Sequence, residues 1–232
     1  MRTLLLTTAT SLLALATIGQ TKEKKSLIND SITVFRNYAR NQSREGRFFV
    51  KTSSGNMLEK GSYKEDKPTG TWYFYRGKGK LESCYSYEQR KLLFLDSAML
   101  NGISVNILSQ DKTESENAAI PVLLCSSPLY LSIIAGNVRI PDTELTNDGL
   151  DVYVIAKIKA DGTADYRLSY DKKNEKISKP FSLEKNADLV QWVPASYDGK
   201  NLTSEYIVSV HFNRGSMLHQ NNKEFRRFRW DQ

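Results

Sequence analysis

One stretch of the chain repeats itself at a fixed spacing, and that spacing limits the folds open to it. Phe48-Phe-Val-Lys51, Gly55-Asn-Met57 and Gly61-Ser-Tyr63 recur 24 positions later as Trp72-Tyr-Phe-Tyr75, Gly79-Lys-Leu81 and Tyr85-Ser-Tyr87. A constant period of this size marks stacked supersecondary units, none able to bury its apolar face alone. Each unit reads as an antiparallel hairpin: an aromatic strand, a glycine turn and an alternating strand that returns. Lys67-Pro-Thr-Gly70 reads as the turn between units.

The sequence around the repeat extends the same pattern. Ser31 to Tyr38 is rich in β-branched and aromatic residues and reads as a strand, with a short helix as the alternative, whereas polar Lys22 to Asp30 is expected to fray. Asn101-Gly102 between two apolar runs is a hairpin signal, which carries the sheet to Leu108. Residues 109–117, SQDKTESEN, lack apolar side chains and read as a boundary. Beyond it, Ile120 to Leu124 is a short strand, and Ser126-Ser127-Pro128 opens a helix that Gly136-Asn137 ends. Asp161-Gly162 joins strands over 150–160 and 163–170, 171–179 reads as a charged loop, and 181–190 reads as helical. After the turn at Asp198-Gly199, Tyr206, Val208, Val210 and Phe212 recur at period two on one face of a strand.

Composition bounds the class of protein. With 232 residues, 40% hydrophobic and 25% charged, the chain can bury a core without disulfides or metal. Its net charge of +7 is scattered among acids, which favours weak contact with acidic surfaces and gives no nucleic-acid stripe. Arg2 precedes an uncharged run from Leu4 to Ile18, short of the roughly 20 residues a spanning helix needs. A signal peptide over 1–19 is expected, giving a periplasmic or secreted protein; the alternative is an uncleaved inner-membrane anchor. Cys84 and Cys125 either pair, closing a loop that would stabilise by about 4 kcal/mol, or act as buried thiols.

Two resemblances follow from these residues. Gly70, Trp72, Tyr75, Gly79, Lys80 and Leu81 fit a Gly-x-Trp-x-x-Tyr…Gly-Lys-Leu pattern, and 46–92 resembles MORN-like repeats of bacterial envelope proteins. A plain β-meander with cross-strand aromatics is the other reading. Asn137, Pro141, Gly149-x-Asp-Val-x-Val, Ile158-Lys-Ala-Asp161-Gly162, Trp192-x-Pro194-Ala195, Gly199-Lys200 and the strand to Phe212 come in one order. That order resembles the TonB C-terminal domain. The chain departs from that family at Ile140, in the 180–188 segment, and in having only six prolines and no proline-rich spacer.

The fold expected is α+β. A MORN-like antiparallel domain would cover 31–108, a linker 109–119, a small helix-on-antiparallel-sheet domain resembling TonB 120–214, and a basic aromatic tail 215–232. The resemblance implies binding of an extended protein segment, such as part of an outer-membrane receptor, at a sheet edge. Thr203, Glu205, Ile207, Ser209 and His211 on the closing strand are the expected binding residues, with Trp192, Pro194 and Gly199 as scaffold. A full energy transducer is the alternative. No Cys or acidic residue stands at ligand spacing beside His211 and His219 in the sequence, and no nucleophile elbow, phosphate loop or dinucleotide fingerprint is present. A non-enzymatic protein is expected, with no cofactor, small-molecule substrate or nucleic acid. The tail Phe225-Arg-Arg-Phe-Arg-Trp230 reads either as a ligand for acidic headgroups or as aromatics packed on the sheet with arginines outward.

Overall fold

The computed structural model describes residues 21–141, 144, 149–172 and 175–212, with the backbone of Phe228–Arg229. The expected signal peptide, His219 and nearly all of the basic tail lie outside these residues. The chain is mostly antiparallel β with few helices.

Seven strands form the first sheet in chain order: β1 Lys22–Asn29, β2 Ile32–Tyr38, β3 Arg44–Thr52, β4 Met57–Lys64, β5 Lys67–Arg76, β6 Lys80–Ser86 and β7 Lys91–Leu95. The repeat supplies β3 to β6 as two hairpins. Their turn lies at Glu65-Asp66, both at positive φ (49° and 65°), so Lys67 to Gly70 begins β5 and is not itself the turn. Residues 22–29, expected to fray, form β1, whose first six residues are exposed. An edge strand of lysines has no burial pattern to betray it.

The inner face is organised by Trp72. Its ring stacks on Phe48 at 4.9 Å, meets Tyr63 and Tyr87 edge-on, and donates from Nε1 to the carbonyls of Ser62 and Thr69. The indole lies against Gly61, where an added Cβ would sit 2.3 Å from ring carbons. The first repeat therefore needs a glycine where the second carries Tyr85.

The second sheet runs β12 Glu175–Phe181, β11 Ala164–Lys172, β10 Leu150–Ile158, β16 Ser204–Phe212. The other side of β16 is covered by β8 Ile103–Ile107 and, at its end, by β17 Phe228–Arg229. Asn101-Gly102 thus makes no hairpin within the first sheet. Asn101 has φ −68° and ψ 127°, with Gly102 at φ 79°, a type II turn rather than the doubly positive turn of a two-residue hairpin. It hands the chain from the first sheet to the second. Residues expected as loop and helix form β12 instead, followed by one short 3-10 turn, Ala187–Leu189.

Between the halves, the expected linker carries the helix α1 Lys112–Asn117, capped by Asp111. After β9 Val122–Leu124 comes the helix α2 Ser127–Asn137, with proline in its first turn as the sequence predicts. Leu129, Tyr130, Leu131, Ile133 and Ile134 are all buried, which leaves α2 little polar face. It touches β1 and β5 on one side, and Tyr130 meets Trp192 on the other. One continuous core runs from Ile32 through α2 to Phe212, so the two halves share their interior. β13 Gln191–Val193 pairs with β9, and β14 Ala195–Tyr197 with β15 Lys200–Leu202 through a turn with Asp198 and Gly199 at positive φ.

Candidate functional site: a sheet edge beside an aromatic cleft

The closing strand β16 is not a free edge. Ser204 to Val208 pair with β8 on one side and β10 on the other, and the carbonyl of Thr203 accepts Leu108 N–H at 2.8 Å. Glu205, Ile207, Ser209 and His211 alternate with the buried Tyr206, Val208 and Val210, and so share the outer face of the sheet. Two of these side chains are engaged there. Glu205 accepts from Arg167 at 2.7 Å, and His211 Nδ1 lies 2.6 Å from the Asp151 carboxylate directly opposite. The expectation of an unpaired edge fails because its cover, β8, comes from the other half of the chain. Sequence spacing could not find Asp151 as the partner of His211, 60 residues away.

The open edge lies at the far side of the sheet. β12 pairs with β11 from Tyr166↔Phe181 to Lys172↔Glu175 and is the last strand on that side among the described residues. Pro180 sits in β12, and a proline fits a sheet only where its missing N–H would face away from the ladder. Backbone direction alternates along a strand, so Lys176 and Ser178 share that outward phase. Glu175, Lys176, Ser178 and Lys179 are exposed.

A cleft of about 870 Å³ opens at the end of this strand. Its walls include Tyr166, Pro180, Phe181, Leu183, Val190 and Trp192. Trp192 donates from Nε1 to the Tyr166 hydroxyl at 3.0 Å, and Tyr166 meets Phe181 with ring centres 5.6 Å apart. Trp192 also packs edge-on against Tyr206 and Tyr130, which fixes the indole in the core. Burial pushes the Tyr166 phenol up to about 12, despite the indole bond, so it stays a neutral hydroxyl. At the rim, Asp161 accepts the Thr163 N–H and hydroxyl, which hold its carboxyl below the usual range. Gly162, at φ 84°, would place a Cβ 3.1 Å from the Trp192 carbonyl, so the turn needs glycine to close on the cleft floor. Pro194 packs beside the same position, while Gly199 serves the β14–β15 turn.

A second polar cluster lies deep in the molecule. Glu59 of β4 and Glu82 of β6 are each 1% exposed. They accept the Ser126 and Ser127 N–H groups at 2.8 Å, capping the first turn of α2 from the other sheet. Burial raises Glu59 to about 7, against the Ser126 N–H and the Cys125 thiol, which both favour the carboxylate. Glu82 is also raised by burial, and its Oε1 is 3.9 Å from Arg76 Nε. Cys84 and Cys125 are free buried thiols, with no bond between them. Burial, then the Glu59 charge, lifts the Cys125 thiol well above its ordinary value, so it is no ready nucleophile. The one sequence sign of this cluster is the Leu-Glu pair that follows the turn glycine in both repeats.

Among the described residues, no helix is long and apolar enough to cross a membrane, and no three His, Cys, Asp or Glu side chains gather as metal ligands. No family model, curated protein or solved structure matches the chain.

Proposed function

We propose that this protein is a non-catalytic module of the cell envelope that binds an extended protein segment, by strand addition at β12 rather than at β16. The observation that carries this reading is the open β12 edge running into the aromatic cleft. A segment pairing with Lys176 and Ser178 would make main-chain bonds there, and its next side chains would enter between Phe181, Leu183 and Trp192. Pro180 ends the ladder at the cleft mouth, so the strand is short and the cleft supplies the selectivity. The resemblance of 121–212 to the TonB C-terminal domain supports the same class of ligand, an outer-membrane receptor segment. The resemblance of 46–92 to MORN-like repeats supports an envelope setting.

The test is amide chemical-shift mapping of the full chain with a peptide bearing an outer-membrane receptor plug motif. Shifts over Glu175–Phe181 and at the Trp192 indole are expected. Ser178→Pro removes an outward N–H without breaking the β11 ladder and is expected to weaken binding at least tenfold. Shifts confined to Ser204–Phe212 would move the site, and no shifts at millimolar peptide would end the reading.

A further inference from the structure

The outer face of the first sheet carries a feature that strand addition at β12 does not use. Lys25, Phe35, Phe49, Lys60, Tyr73, Cys84 and Phe94 are direct cross-strand neighbours in sequence of pairing, one from each of the seven strands. At the usual strand spacing of about 4.8 Å, this row is about 29 Å long and runs across the strands. Arg47 and Lys51 flank Phe49 on the same face. Phe35 stacks on Phe49 at 4.5 Å, and Lys25, Lys51 and Lys60 sit over the rings of Phe35, Phe49 and Tyr73 at 5.2, 5.1 and 4.6 Å. A shallow hollow of about 360 Å³ lies mid-row, floored by Gly61 and walled by Phe49, Met57, Thr71 and Tyr73.

Lys25, Arg47, Lys51 and Lys60 form no ion pair among the described residues, whereas ten other lysine or arginine side chains reach carboxylates within 4.0 Å. Four cations on one face with no carboxylate partner leave a local positive potential that favours an anion there.

We infer that this row is a binding track for a linear acidic polysaccharide. Its carboxylates would pair with Lys25, Arg47, Lys51 and Lys60, and one sugar ring would rest in the Gly61 hollow with its hydroxyls toward Ser62 and Thr71 rather than stacked on a ring face. The charge complementarity is that of any polyanion, and the rings choose among them. Single-stranded nucleic acid needs open ring faces for stacking, and here Phe35, Lys51 and Lys60 already cover them. Sugar hydroxyls can instead use the Ser62 and Thr71 side chains that line the hollow.

Binding of the full chain to polygalacturonate, neutral dextran, an oligothymidylate and phosphatidylglycerol vesicles tests the inference, at 50 and 200 mM salt. Polygalacturonate is expected to bind, losing at least tenfold affinity at the higher salt, and to bind more tightly than the other three probes. The K51E/K60E double variant should lose at least tenfold, and Tyr73→Ala a smaller amount with the same salt slope. Unchanged circular dichroism spectra would show that both variants stay folded. The inference is overturned if polygalacturonate fails to bind at 50 mM salt, if oligothymidylate or vesicles bind as tightly, or if K51E/K60E binds like the wild type. Peptide binding at β12 is read separately by the Trp192 indole, so failure of one site leaves the other measurable.

Discussion

At the scale of single residues, the buried carboxylates carry the clearest consequence. Glu59 has a folded-state pKa of about 7 against an ordinary 4.5. Between those values the folded protein keeps a proton that the unfolded chain has released, so stability falls as pH rises. The full contribution is present below about pH 4.5 and is lost above about pH 7, a change on the order of 3 kcal/mol. Glu82 shifts in the same direction. Urea unfolding of Glu59→Gln is expected to show a flatter pH dependence than wild type from pH 5 to 8. An unchanged slope would assign the effect elsewhere. Gly61 is a second such residue. Gly61→Ala drives a methyl into the Trp72 ring, and a loss of about 1–3 kcal/mol is expected in the same measurement.

Elements divide by how much of their cause lies nearby in the chain. β3 to β6, α2 and the β10–β11 hairpin are legible because local chemistry specifies them: repeated aromatics, a serine-proline helix start, an Asp-Gly turn. β1 and β12 are not, because each is an edge strand dominated by exposed Lys, Glu and Ser, and the few apolar residues, Leu27 and Ile28 in β1 and Ile177 and Phe181 in β12, make no period-two run. β8 is legible as a strand but not as to its partner. Ile107 pairs with Ser204, and nothing within a local window says so. The candidate site suffered twice from this. The cover over β16 was invisible, and so was the edge at β12, while Trp192 and Gly162 stood out in sequence from the start. An extra proline in β12 tests which of its N–H groups face outward: Ser178→Pro should leave the thermal midpoint within a few degrees of wild type while peptide binding falls. A large fall in midpoint would place that N–H inside the ladder.

For the whole molecule, the expected boundary over 109–119 does not separate two interiors. The shared core, the Glu59 and Glu82 caps on α2, and the Tyr87–Gln191 hydrogen bond at 2.8 Å all cross it. Arg36 adds an ion pair to Asp188 at 2.9 Å. Far-ultraviolet dichroism and tryptophan fluorescence are therefore expected to report one coincident urea transition. Cleavage at a protease site inserted after Asn117 should leave the two pieces associated on a sizing column. Separate midpoints, or pieces that part, would restore two independent domains.

β8 also sets an order of events during synthesis. It emerges from the ribosome about a hundred residues before the strand it must meet, since its Ile107 pairs with Ser204. Until that late strand arrives, β8 is an unsatisfied edge on a nascent chain. Refolding should be slow for a protein of this size, and a chain that stops short of β16 should expose apolar surface and aggregate.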